Sequence, residues 1–338
     1  ETHLDTYCMD LSVIDGNNSG SIKITGGNNF VDEAFRIAEE IISNPICEND
    51  FEKEKHHLLQ ALTVREQSPS YHMNIEIFKN VFSGTKYASL ADRTYDSVSA
   101  LTLDDVYDFR KEFLSRGIWG IGLSGGVSPR HYETVPDIFS NYESMPFDIS
   151  PMDITPVEGR VSFDSRNRNQ CYLARVSRIP GILTEDFEKM VYISEFLSGQ
   201  SSILFRELRE KEGLVYTYSV TASGFLPGGC ISIEAVTSPD KYKKVINAVE
   251  KCITEICDGA VNEKNLVEKF RRTELQNSIR MRSNSYHSFN LAYEEAMELP
   301  SLRYQRYLET VKNIKTDKVA KLTETYLKKG MWFLSDNC

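Results

Sequence analysis

Apolar residues along this chain recur with two different spacings, and the spacing changes several times between the ends. Phe30, Ala34, Ile37, Ala38 and Ile41 follow the 3.6-residue period of an amphipathic helix. Phe51, Leu58, Leu59 and Leu62 mark a second helix, which Pro69 ends while opening a third. Thr102-Leu103-Asp104-Asp105 reads as a helix start with Thr102 as N-cap. Strand patterns fall at Gly20–Thr25 and around Ile118, Trp119 and Ile121. Further on, Arg160–Phe163 and Gln170–Val176 read as strands, and Glu185–Leu197 and Ser201–Lys211 as helices. Val215–Ala222 and Cys230–Val236 form a hairpin pattern with Pro227-Gly228-Gly229 in the connection. Tyr242–Ile256 and Asn262–Arg280 predict two long helices.

The pattern repeats. Ser70-Tyr71-His72 recurs as Ser285-Tyr286-His287, an offset of 285 − 70 = 215. Val98-x-x-Leu101-x-x-Asp104-x-Val106 recurs as Val311-x-x-Ile314-x-x-Asp317-x-Val319, an offset of 311 − 98 = 213. Phe113-Leu114-x-x-Gly117-x-Trp119 recurs as Tyr326-Leu327-x-x-Gly330-x-Trp332 at the same 213. This period is too long for a solenoid and implies two copies of one domain. Strands grouped at the start of each half, followed by helices, predict an α+β fold. Two homologous domains are expected, each an antiparallel-type sheet with helices on one face. The first spans 1–143 and the second 160–338. Residues 144–159, with Pro146, Pro151 and Pro156, read as the linker. The first copy lacks a counterpart of residues 160–215, so that domain is expected to be incomplete at its N-terminus, with an exposed sheet edge.

Composition narrows the function classes. The chain has 338 residues, 41% of them hydrophobic, enough for two cored domains. A net charge of −10 argues against a nucleic-acid partner, which needs a basic face. No run of 18 apolar residues predicts a membrane span, and Glu1 to Asp10 show no signal-peptide pattern. Seven scattered cysteines argue against a disulfide framework and for reduced thiols in a cytoplasmic setting. Cys252 and Cys257 lie on different faces of one predicted helix and are poor metal partners. Thr25-Gly26-Gly27-Asn28-Asn29 precedes a helix but lacks the Gly-Lys-Ser/Thr ending of a phosphate loop, and Ser124-Gly125-Gly126 reads as a turn.

The stretch from Ser201 to Tyr216 is the richest in candidate chemistry. A helix stops at Gly213, a residue suited to the left-handed C-terminal position, and a strand starts at once. That brings Arg209 and Tyr216 toward one rim, where a guanidinium and a phenol can hydrogen-bond a peptide carbonyl or an oxyanion. Two plainer roles stand beside this one. Arg209 can pair with nearby glutamates on a solvated face. Tyr216 shares strand parity with Leu214, Tyr218 and Val220 and can belong to the core.

Phe196-Leu197-Ser198-Gly199 through Arg209-Glu210-Lys211-Glu212-Gly213-Leu214-Val215-Tyr216 resembles the second-half motif of the insulinase/pitrilysin metallopeptidases, in their processing-peptidase-like branch. Phe51-Glu52-Lys53-Glu54 through Leu62, then Ser68-Pro69, resembles the first-half helix of the same family. The resemblance implies a zinc endopeptidase of two similar α+β domains. Zinc would be held by His-x-x-Glu-His and a distant glutamate, and the motif's own Glu would activate the metal-bound water. It implies that Arg209 and Tyr216 face that zinc and bind the substrate backbone.

This chain departs from that pattern. None of His3, His56, His57, His72, His131 and His287 lies in a His-x-x-Glu-His motif. His56 and His57 point about 100° apart on a helix and form no site together. His72 and His287 recur through the repeat, which predicts a structural turn role. With Glu54 as the earlier glutamate of the motif, the distal ligand position is 54 + 7 = 61, occupied by Ala61. The expected metal count in this chain is therefore none, with zinc in a partner. The resemblance is to the zinc-less, arginine/tyrosine-bearing subunit of a two-component peptidase. It would pair with a zinc-bearing homologous subunit or a second copy of itself and act on an extended peptide added to a sheet edge. Two alternatives stand: a non-catalytic, core-type structural subunit of a larger complex, or a complete zinc peptidase whose metal motif lies in a preceding segment.

Overall fold

The computed structural model describes residues 2–16, 18–116, 120–139, 152–166 and 169–338. Its helices in chain order are α1 (Thr2–Thr6), α2 (Val31–Ser43), α3 (Glu48–Arg65), α4 (Pro69–Val81), α5 (Tyr95–Ser99), α6 (Leu103–Arg116), α7 (Pro129–Phe139), α8 (Glu185–Leu197), α9 (Ile203–Phe205), α10 (Tyr242–Cys257), α11 (Glu263–Arg280), α12 (Asn284–Ala296), α13 (Arg303–Lys312) and α14 (Thr316–Tyr326). The strands are β1 (Asp10–Asp15), β2 (Gly20–Thr25), β3 (Gly159–Phe163), β4 (Cys171–Ile179), β5 (Thr217–Gly224), β6 (Gly229–Thr237) and β7 (Met331–Ser335). The architecture is α+β, as the pattern predicts.

Two compact units are present, and they do not follow the contiguous halves of the sequence. One comprises Glu1–Glu54, Leu101–Asp148 and Glu274–Arg306; the other comprises Lys55–Ala100, Ile149–Thr273 and Tyr307–Cys338. Each unit therefore takes a helical segment from the opposite half of the chain. Of the predicted linker at 144–159, residues 144–151 lie outside the described residues, while in the described half Met152 is buried and Gly159 opens β3.

The first unit holds a two-stranded antiparallel sheet, β1 with β2, in register Leu11↔Ile24 and Val13↔Ile22. Val13 is 70% exposed and Ile22 40%, so this apolar sheet face is only partly covered. Short β1, flanked by aspartates, was invisible to the strand pattern. α2 buries Phe35, Ile37 and Ile42. Against it, His131 of α7 is buried, its Nδ1 accepting from the Ser128 N–H at 3.0 Å. The α6 cap forms as predicted, with the Thr102 N–H donating to Asp105 Oδ2 at 2.8 Å and the Asp105 N–H donating to Thr102 Oγ1 at 3.2 Å. The predicted strand around Ile118 lies partly outside the described residues, and among those residues 120–124 pair with no strand. Instead this backbone lies against α12: a Cβ on Gly122 would sit 1.8 Å from the Ser288 carbonyl oxygen, which only glycine permits.

The second unit is built on a five-stranded sheet in the order β3-β7-β4-β6-β5. β3 and β7 are parallel and the remaining pairs antiparallel. β4 is buried on both faces, so two covering layers are required. On one face Leu173, Ile231 and Ile233 pack with Ile193 and Leu197 of α8, Val249 and Ile253 of α10, and Val319 and Leu322 of α14. Those helices follow in the second half, as expected. On the other face Ala174, Val176, Phe225 and Phe333 meet Met73, Ile77 and Val81 of α4, a helix from the first half. Each of those three side chains is at least 94% buried and contributes about 2 kcal/mol.

The helix starts keep the offsets seen in the sequence: 263 − 48 = 215 for α3 and α11, 284 − 69 = 215 for α4 and α12, and 316 − 103 = 213 for α6 and α14. Local chemistry recurs with them. His72 Nε2 donates to the Glu66 carbonyl at 2.8 Å, and His287 Nε2 to the Met281 carbonyl at 2.6 Å. Both histidines tie the end of a long helix to the start of the next one, a turn-fixing role.

Candidate functional site

The candidate site is assembled on the second unit, between the end of α8 and the start of β5. After α8, Gly199 takes φ +83°, a left-handed turn that side chains other than glycine adopt at a cost. Ser202 caps the next helix, its Oγ accepting from the Phe205 N–H at 3.0 Å. The predicted single helix Ser201–Lys211 is instead α9 followed by a π turn over Arg206–Lys211. The wider i→i+5 winding inserts one extra residue per turn, a feature concentrated at functional sites. Leu204 and Leu208 anchor the inner side at 0% exposure. Arg209 faces outward, exposed.

Gly213 has φ +54°, the left-handed helix end foreseen from the sequence. The Leu214 N–H donates to the Leu208 carbonyl at 2.7 Å, closing the turn. Leu214 and Val215 are buried, and the Tyr216 N–H donates to the Val236 carbonyl at 2.8 Å, which seats the chain beside β6. Tyr216 is 56% exposed, so of its two readings the core one is wrong: it stands just before β5 begins at Thr217. The ion-pair reading of Arg209 also finds no support. Glu207 pairs with Lys211 and with Lys251, the latter at 3.4 Å, and Arg209 has neither a hydrogen bond nor an ion pair among the described residues. Two exposed polar side chains without protein partners among the described residues thus project from the Gly213 turn beside the terminal strand of the described sheet.

Tyr218 is a neighbour to which sequence reasoning gave no role. Its hydroxyl donates to the Gly199 carbonyl at 3.1 Å and accepts from Ser202 Oγ at 2.9 Å. Burial pushes the Tyr218 phenol above its ordinary pKa, while the Ser202 hydrogen bond and the positive charge of Arg209 pull it down. Arg209 therefore lies within electrostatic reach of this hydroxyl. Arg272 of α11 joins from the other side, donating from Nη1 to Ser201 Oγ at 3.3 Å. The signal for Tyr218 was its strand parity with Tyr216. For Arg272, on the exposed face of a long charged helix, the sequence offered none.

Glu54 and Ala61 are exposed on helix α3, and the methyl group of Ala61 has no electron pair for a metal. His56 Nε2 is bonded to Gln60 Nε2 at 3.0 Å. Among the described residues no three His, Cys, Asp or Glu side chains converge as a metal cluster. Among them, too, no helix is long and apolar enough to cross a membrane.

A mixed sheet flanked by helices and a glycine-ended turn that presents an exposed arginine and tyrosine are the features to be matched to a protein class. The chain belongs to the M16 peptidase family: residues 100–271 match the family's domain described as "Peptidase M16 inactive domain". Curated relatives include an uncharacterized zinc protease of Streptomyces coelicolor, 21% identical over 67% of this chain and 51% of its own length. Another, from Rickettsia felis, is 22% identical over 85% of this chain and 70% of its own. The chain thus spans about half the length of the Streptomyces relative. Among solved structures, the peptidase M16 inactive domain from Pseudomonas fluorescens aligns with TM-score 0.83 at 16% identity, covering 99% of this chain and 82% of that one. A protease from Helicobacter pylori aligns with TM-score 0.85 at 13% identity, over 99% and 84% respectively.

Proposed function

We propose that this chain is the metal-free component of a two-part zinc endopeptidase and lends Arg209 and Tyr216 to a zinc-bearing homologous partner. The observation that carries this reading is the pair itself: two exposed polar side chains without protein partners among the described residues, held by the turn at Gly213. The turn orders the backbone in advance, so the ordering cost on binding falls mainly on the two side chains, about 0.5–1.5 kcal/mol each. Beside them β5 is the terminal strand of the described sheet, so its outer backbone edge pairs with no described strand and can take an added peptide strand. In that complex the Arg209 guanidinium donates to a substrate carbonyl and the Tyr216 hydroxyl to an oxygen on which charge develops. A zinc ion held by the partner would supply the activated water. The helix starts recurring at 215 and 213 support a duplicated origin, with homologous domains over 1–143 and 160–338, and the M16 membership supports pairing between such domains.

The test mixes the purified chain with a zinc-bearing M16 subunit and follows a quenched fluorescent peptide, alongside metal analysis of each protein. Cleavage should need both proteins and should fall about 10²-fold in Arg209→Ala or Tyr216→Phe, by comparison with loss of an oxyanion donor. Full activity in both variants, or one tightly bound zinc in this chain, overturns the assignment. The zinc result would favour the complete-peptidase alternative, which the names of the zinc-protease relatives also motivate.

A further inference from the structure

One guanidinium, that of Arg272, lies along the Gly199–Ser202 turn, and the turn is tied to Tyr218, whose hydroxyl feels the positive charge of Arg209. Arg272 touches the turn directly, with Nη1 3.3 Å from Ser201 Oγ. A Cβ placed on Gly199 would lie 3.7 Å from both Nη1 and Nη2 of Arg272, so the guanidinium runs along the turn. Arg209 acts on the same turn through Tyr218, whose hydroxyl is bonded to Gly199 and Ser202. Neither arginine has a carboxylate partner among the described residues. Neighbouring acidic groups have other partners: Glu195 accepts from Thr273 Oγ1 at 2.9 Å, Glu207 is held by Lys211 and Lys251, and Glu268, one turn before Arg272, lies 3.8 Å from Lys264. In a chain with 49 acidic and 39 basic residues, two exposed arginines without carboxylates around one turn are conspicuous. Guanidinium forks match a carboxylate geometrically, and a serine hydroxyl beside one supplies a further donor.

We propose that Arg272, with Ser201, is a specificity-determining pair that makes this rim select peptides bearing a carboxylate close to the stretch held by Arg209 and Tyr216. The inference rests on the peptide-binding reading of those two residues. The carboxylate has two possible sources, an Asp or Glu side chain or the peptide's own C-terminus. Arg272 is solvent-exposed, so its replacement leaves the core intact.

The experiment measures fluorescence anisotropy of the full chain with three labelled ten-residue peptides. One carries two glutamates and an amidated C-terminus, the second is neutral and amidated, and the third is neutral with a free C-terminal carboxylate. The wild-type chain should bind a carboxylate-bearing peptide roughly tenfold more tightly than the neutral amidated one, the value of one charged hydrogen-bonded contact. Which of the two carboxylate peptides gains identifies the source. Arg272→Gln should abolish the preference and leave the neutral amidated peptide unchanged, while Arg272→Lys restores part of it. A wild-type chain without preference, or a preference that survives Arg272→Gln, overturns the proposal while the rim reading stands. Neutral-peptide binding that survives the Arg209→Ala, Tyr216→Phe double variant removes the rim reading, and the proposal falls with it.

Discussion

Arg175, in the middle of β4, is 2% exposed and gathers more polar contacts than any other described side chain of the second unit's core. Its Nε donates to Glu250 Oε1 at 2.8 Å, Nη1 to Ser177 Oγ at 2.8 Å, and Nη2 to the Leu327 carbonyl at 2.7 Å. Leu327 ends α14, so the guanidinium caps that helix and favours its dipole. Glu250 Oε1 also accepts from Trp332 Nε1 at 2.8 Å. Breaking a buried pair costs about 3–5 kcal/mol. The Glu250 side chain is 40% exposed and can rehydrate, which places Arg175→Ala at the low end, about 3 kcal/mol, most of it from the helix-end carbonyl and Ser177 left dry. Glu250→Gln keeps an acceptor for both Arg175 and Trp332 and should cost about 1 kcal/mol. Native-state hydrogen exchange at the amides of β4 and β7 reads this locally without assuming that the two units unfold together. Protection lost by less than about 1 kcal/mol in Arg175→Ala, or equal losses in both variants, would refute the claim that the guanidinium organises this end of the sheet.

Other expectations follow from the same physics. Gly213→Ala meets no atom within 4 Å, so its cost is backbone conformation alone: urea unfolding should show about 1 kcal/mol of destabilisation, with peptide binding by Arg209 and Tyr216 weakened as the turn relaxes. Burial pushes the Cys230 and Cys252 thiols up to about 12. At pH 8 a thiol reagent should label exposed Cys8 and Cys47 in the native chain and reach Cys230 and Cys252 only on unfolding. Because these folded-state values lie above the ordinary thiol range, their stabilising contribution is complete below about pH 9 and is lost as pH rises toward 12, so urea midpoints should fall across that window. Equal midpoints at pH 8.5 and 10.5 would count against this.

Much of the second half was legible because its signals were local. Glu185–Leu197 is helical at the predicted bounds, and the hairpin at Pro227-Gly228-Gly229 forms between β5 and β6. Gly213 and the exposed Arg209 were readable for the same reason, since a left-handed stop and an outward-facing side chain are properties of one turn. What escaped was non-local. Whether Tyr216 lay in the core depended on where α8 and α9 ended, and strand parity cannot report that. The π turn depends on Leu204 and Leu208 both reaching the core, a demand of packing and not of periodicity. Arg272 meets Ser201 across 71 residues of chain, and no spacing rule connects them. Also hidden was the exchange of segments: α4 shows an ordinary amphipathic pattern that names no recipient for its apolar side.

That exchange makes the two halves of the polypeptide poor candidates for independent life. Expressed from residue 160 onward, the sheet would expose Ala174, Val176, Phe225 and Phe333, now sealed by Met73, Ile77 and Val81. Such a fragment would be sticky until residues 55–100 were supplied in trans, and a loss of function traced to the first hundred residues can originate as a folding defect in the last two hundred. Any gene fusion, truncation series or interaction screen on this protein should cut according to the woven units and not according to the repeat.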